Sequence, residues 1–81
     1  MRVIGDVPNP HCKITLYGWN GKYIVKIEQG LLEQTYKISE LDVAGEDDVR
    51  EMLNETFLDK ALKRFVLMQT DWEEALEDVE D

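Results

Sequence analysis

The spacing of apolar residues changes character once along the chain. Up to about residue 38 they alternate with polar residues; beyond residue 39 they return every three to four positions. A period of 2 marks a strand with one buried face, and a period near 3.6 marks a helix with a buried stripe. The chain therefore reads as a sheet half followed by a helical half, an α+β domain.

In the sheet half, Cys12–Trp19 reads as a first strand and Lys22–Glu28 as a second, joined by Asn20-Gly21. That dipeptide favours a type I′ hairpin turn, which needs positive φ at both central positions. The register then sets Leu16 opposite Val25 and Ile14 opposite Ile27 on one face. The other face pairs Tyr17 with Ile24, Thr15 with Lys26 and Lys13 with Glu28. A second turn at Gln29-Gly30 places Ile27 opposite Leu32, Val25 opposite Gln34, Tyr23 opposite Tyr36 and Lys26 opposite Glu33. A longer loop would oppose Glu28 to Glu33, a like-charge pair. The third strand ends near Ile38. Ile14, Leu16, Tyr23, Val25, Ile27, Leu32, Tyr36 and Ile38 make up the expected core face. Val7-Pro8-Asn9-Pro10 reads as an extended lead-in, because proline suits neither helix nor ladder.

In the helical half, Glu46-Asp47-Asp48 suits a helix N-terminus, where negative charge is favoured. Val49, Met52 and Leu53 then give a short helix over residues 46–55. Thr56 and Asp59 resemble a capping box for a long helix over 57–77, with an acidic tail at 78–81. At about 1.5 Å per residue that helix is about 31 Å long, against about 23 Å for a seven-residue strand. Its stripe is Leu58, Leu62, Phe65, Trp72, Leu76 and Val79, widened by Ala61, Met68 and Ala75. Val66 and Leu67 make its middle apolar nearly all round, which predicts burial from several directions. The expected architecture is β-β-β-α-α: a single domain over 1–81, with a three-stranded antiparallel meander over 11–38 and two helices on one sheet face.

Composition narrows the function without naming it. A domain of 81 residues buries only about 60–65% of its unfolded surface and gains from oligomerising. Its 43% apolar content excludes a disordered chain. The longest apolar run, Phe65–Met68, is far too short to span a membrane. No apolar leader follows Arg2, and Cys12 has no second cysteine to pair with. Both features predict a reducing, cytoplasmic setting. The net charge of −9 is unevenly placed: residues 1–38 carry +2 and residues 39–81 carry −11. The whole molecule therefore opposes nucleic acid and anionic lipid, but a local basic patch remains open to either.

No motif commits the chain to a chemistry. His11 and Cys12 are the only residues of their kinds, and as strand neighbours they point to opposite faces. They make neither a metal site nor an activated nucleophile. Gly21-Lys22 lacks the spacing and the following helix of a phosphate-binding loop. Asn54-Glu55-Thr56 fits a glycosylation sequon, but Thr56 is better explained as a helix cap. Asp47, Asp48, Glu51 and Glu55 could hold Mg²⁺, yet read more simply as a solvated acidic face. Lys60, Lys63 and Arg64 are partly explained by Asp59 one turn before Lys63. No catalytic residue, cofactor or metal is expected.

Two surfaces remain. The long helix outreaches the sheet, so Phe65, Met68, Trp72, Leu76 and Val79 are expected to form an interface, with a second copy or another protein as partner. The sheet face away from the core should show Tyr17, Trp19 and Ile24 among Lys13, Lys22, Lys26 and Lys37. Aromatics interleaved with lysines are also how some sheets bind single-stranded nucleic acid.

The run from Cys12 to Ile24, with Leu32–Glu40 after it, resembles short uncharacterised bacterial proteins of similar length. The resemblance implies no activity and assigns no residue a role. The sequence thus points to a small, non-catalytic, self-associating interaction domain, with a single-strand-binding module as the alternative.

Overall fold

A computed structural model of the chain describes residues 1–80. Four strands run in order: β1 (Arg2–Val7), β2 (Lys13–Trp19), β3 (Lys22–Gln29) and β4 (Leu32–Ser39). They form one antiparallel sheet with each strand beside the next in sequence. A 3-10 turn at Glu40–Asp42 leads to the helices α1 (Glu46–Met52) and α2 (Glu55–Glu80). The fold is α+β with helices after the sheet, as the period change implies.

The sheet has four strands rather than three, because β1 precedes the expected first strand. Val3 lies opposite Tyr17 and Gly5 opposite Leu16, so Ile4 is an extra residue in a β-bulge. The bulge breaks the alternation that would reveal a strand, and it lets Ile4 pack against the core. Arg50 reaches across Gly5: a Cβ there would lie 2.9 Å from its Nη2, the movable end of a long side chain. Arg50 donates from Nη1 to the carbonyl oxygen of Asp6 at 3.1 Å, tying α1 to β1.

The β2–β3 register is the one the sequence dictates, from Lys13 opposite Glu28 to Trp19 opposite Lys22. Asn20 and Gly21 have φ of 53° and 73°, as a type I′ turn requires. The β3–β4 register differs from expectation by two residues: Gln29 faces Leu32, Ile27 faces Gln34, and Glu28 does face Glu33. The turn is Gly30-Leu31, with positive φ at Gly30 only. Glycine at the first central position is the type II′ pattern, and this outweighs the like-charge pair. Glu33 is engaged by the Thr35 hydroxyl, which donates to its carboxylate at 2.9 Å, and Lys13 flanks Glu28 on the other side. A slip of two preserves parity, so the core face is the same set of residues.

Ile14, Leu16, Val25 and Ile27 pack against Val49 and Leu53 from α1 and its end and against Leu58, Ala61 and Phe65 from α2. Both helices therefore cover one face of the sheet. α1 stops at Met52, short of the expected residue 55. α2 begins two residues before the expected 57 because Asn54, not Thr56, caps it: Asn54 Oδ1 accepts from the Phe57 N–H at 2.9 Å. At its other end the helix runs through the expected acidic tail to Glu80; Asp81, the last residue of that tail, lies outside the described residues.

Candidate interaction site

Leu58, Phe65, Trp72 and Val79 recur every seven residues and so share one side of α2. The first two are buried, 8% and 1% exposed, whereas the last two are 65% and 82% exposed. The same row is core in the first half of the helix and bare in the second. Leu76 beside it is also exposed, and Trp72, Ala75, Leu76 and Val79 line a shallow apolar groove. The reason is length. The 26 residues of α2 extend about 39 Å, whereas the eight residues of β3 or β4 extend about 26 Å. The helix therefore overhangs the sheet by about 13 Å, more than the sequence estimate. The radius of gyration, 14.8 Å, exceeds the roughly 12 Å of a compact chain of this length.

Of the expected interface residues, Trp72, Leu76 and Val79 lie on the overhang. Phe65 does not belong with them: it is fully buried in the core. Met68 is half-buried at the core's edge. Val66 and Leu67 are exposed, at 64% and 67%. The apolar middle of the helix is therefore not buried from several directions, since none of the described residues covers its outer side.

A polar lock, not visible in the sequence, fixes where α2 lies. Gln34 projects from the core face of β4 and is buried. Its Nε2 donates to the Ala61 carbonyl at 2.8 Å. Its Oε1 accepts from the Tyr36 hydroxyl at 2.6 Å and from Arg64 Nη1 at 3.1 Å. Arg64 also donates to the Tyr36 hydroxyl oxygen at 2.8 Å, and Tyr36 meets Phe57 edge-on, ring centroids 5.3 Å apart. Arg64 thus belongs to this lock rather than to a free basic patch with Lys60 and Lys63.

The outer sheet face carries Tyr17, Trp19, Ile24, Lys13, Lys22, Lys26 and Lys37 together, as the register requires. No described element lies over it. Trp19 is half exposed, but Ile24 is only 2% exposed and offers no binding surface. It sits on an inner strand between Tyr17 and Lys37, with Lys22 and Lys26 before and after it, and long side chains cover it. The Lys26 ammonium lies 5.3 Å from the centre of the Tyr17 ring, a cation–π contact that occupies one face of that ring. Asp6, Glu28 and Glu33 share this face, towards its other end.

The remaining candidates stay apart. Asn9 Oδ1 accepts from the His11 N–H at 2.8 Å and from Cys12 Sγ at 3.5 Å. Partial burial pushes the Cys12 thiol above its ordinary value. Asp48 accepts from the Ala44 N–H at 2.8 Å, and no group of three potential metal ligands converges among the described residues. An apolar cleft of about 210 Å³ lies between Tyr36, Ile38, Val49, Met52, Leu53 and Phe57, with little polar surface. No helix among the described residues is long and apolar enough to cross a membrane. Compared with known proteins, the chain matches no family model, and no curated protein or solved structure matches it significantly.

Proposed function

We propose that this chain is a small cytoplasmic, non-catalytic interaction domain that self-associates through the projecting end of α2. The observation that carries the reading is the seven-residue row on that helix, buried at Leu58 and Phe65 and bare at Trp72 and Val79. A helix in water has no reason to continue a core stripe past its core, and a contiguous exposed patch anchored by Trp is a common mark of an interface. The flanking acids Glu73, Glu74, Glu77 and Asp78 keep such a contact from growing into larger aggregates. Light scattering tests it: a dimer at tens of micromolar that becomes monomeric on Trp72→Asp with Leu76→Asp supports the reading, and a monomeric wild type refutes it.

The second reading is a single-strand-binding module on the outer sheet face. It is favoured by the half-exposed Trp19 beside Tyr17 and four lysines. It is weakened by the acids on the same face and by the net charge of −9. Its test is salt-sensitive binding of a single-stranded oligonucleotide, weakened by about 1–3 kcal/mol on Trp19→Ala through lost stacking.

A further inference from the structure

The overhang of α2 and the outer sheet face complement each other. Residues 69–80 hold six acids and no Lys, Arg or His. The outer face holds four lysines against the acids Asp6, Glu28 and Glu33, and Lys22 and Lys37 lie with Tyr17 and Trp19 at the end away from Glu28 and Glu33, with Lys26 between the two ends. We propose that the overhang of one copy docks on the outer sheet face of a second copy, reciprocally about a two-fold axis. This rests on the self-association proposed above and names the surface that receives the helix.

Charge separates this arrangement from the simpler one. Packing the two overhangs against each other would bring Asp71, Glu73 and Glu80, which flank the Trp72 row, beside the same acids of the other copy, and like-charge juxtaposition is costly at an interface. Docking on the lysine face reverses the sign. The sizes agree as well: an overhang of about 13 Å fits within the length of about 26 Å that the eight residues of β3 or β4 offer.

Orientation supplies the symmetry. Trp72 and Val79 continue the row that faces the sheet at Leu58 and Phe65, so beyond the sheet they face the level that the sheet occupies. A second copy turned over by a two-fold axis beside that end presents its outer face at that level. Its own overhang then lies beneath the outer face of the first copy. Each α2 would cover the core face of its own sheet and the outer face of its partner's. Both contacts are used once per copy, so the assembly closes at two and does not polymerise.

The test mixes two broken partners. One variant is Trp72→Asp with Leu76→Asp, which spoils the overhang; the other is Lys22→Glu with Lys37→Glu, which spoils the face. All four positions are exposed, and circular dichroism melting of each variant checks folding; if the face variant unfolds, Lys22→Gln with Lys37→Gln takes its place. By light scattering the wild type is expected to be a dimer, weakened about tenfold as salt rises from about 0.05 M to about 0.5 M. Each variant alone is expected to be monomeric. Their equimolar mixture is expected to regain a dimer fraction, because the intact overhang of one meets the intact face of the other. A mixture that stays monomeric overturns the sheet-face docking, as does a face variant that remains dimeric while the overhang variant does not; self-association itself survives both results. A single-stranded oligonucleotide that binds the outer face and leaves the dimer mass unchanged also overturns the docking, since a covered face has no room for it. A monomeric wild type overturns the docking and the self-association together.

Discussion

Gly21 adopts a φ of +73°, and a Cβ built on it would meet nothing within 4 Å. The cost of a side chain there is therefore backbone strain alone, largest for a β-branched residue. Gly21→Val should destabilise the fold by about 1–3 kcal/mol, read as a lower melting temperature; an unchanged one would refute the turn. Gln34 presents the converse case, a buried polar group whose donor and acceptor sides are both engaged. Gln34→Ala should cost about 1–3 kcal/mol in denaturant titration, because it removes the bond to the Ala61 carbonyl and leaves the Tyr36 hydroxyl and Arg64 without their shared partner. The sequence places Gln34 on the core face by parity, but it cannot show which helix carbonyl the amide will find. Cys12 carries a pH dependence of known sign. Burial favours its neutral thiol, so that contribution to stability is complete below the ordinary thiol value and is lost as pH rises through the raised one. Alkylation by iodoacetamide near neutral pH should accordingly be slower for the folded chain than for the urea-unfolded chain; equal rates would contradict it.

Among the elements, α2 is set at its start by Asn54, whose carboxamide oxygen accepts from the Phe57 N–H. Asn54→Ala should cost about 1 kcal/mol through the lost cap, whereas Thr56→Ala should leave the melting temperature nearly unchanged. A capping-box pattern at Thr56 points to the wrong residue because Asn54 caps the helix two residues earlier. The β2–β3 hairpin was fully legible, since turn chemistry and alternation agree at Asn20-Gly21. The β3–β4 register is not, because the like charges of Glu28 and Glu33 disfavour the very pairing that the turn chemistry at Gly30-Leu31 selects. Glycine in the first central position was the available signal. β1 was hidden by its own bulge: Val3, Ile4 and Val7 are apolar, but the extra residue at Ile4 destroys period 2. Helix length was legible and underestimated, and the exposed end of the apolar stripe follows from it. The burial of Phe65 is not legible in the sequence, because a stripe on one helix does not show where the sheet beneath it ends.

The whole molecule separates charge and shape along the same line. The sheet half carries +2 and the helical half −11, and the described chain measures 50 × 26 × 19 Å. A small domain whose core cluster holds nine buried residues among those described has a limited core, and burying further apolar side chains contributes about 1.5–3 kcal/mol each. Trp72, Leu76 and Val79 are a reserve of that kind, held outside the monomer by a helix longer than its sheet. Self-association would use that reserve, and the proposed docking would let charge select which surface meets it. The most direct measurement is the solution mass of the wild-type chain at tens of micromolar, by light scattering, beside that of Trp72→Asp with Leu76→Asp. Self-association through the overhang predicts a dimer for the first and a folded monomer for the second. A monomeric wild type, or a double variant that keeps the dimer mass, would contradict it.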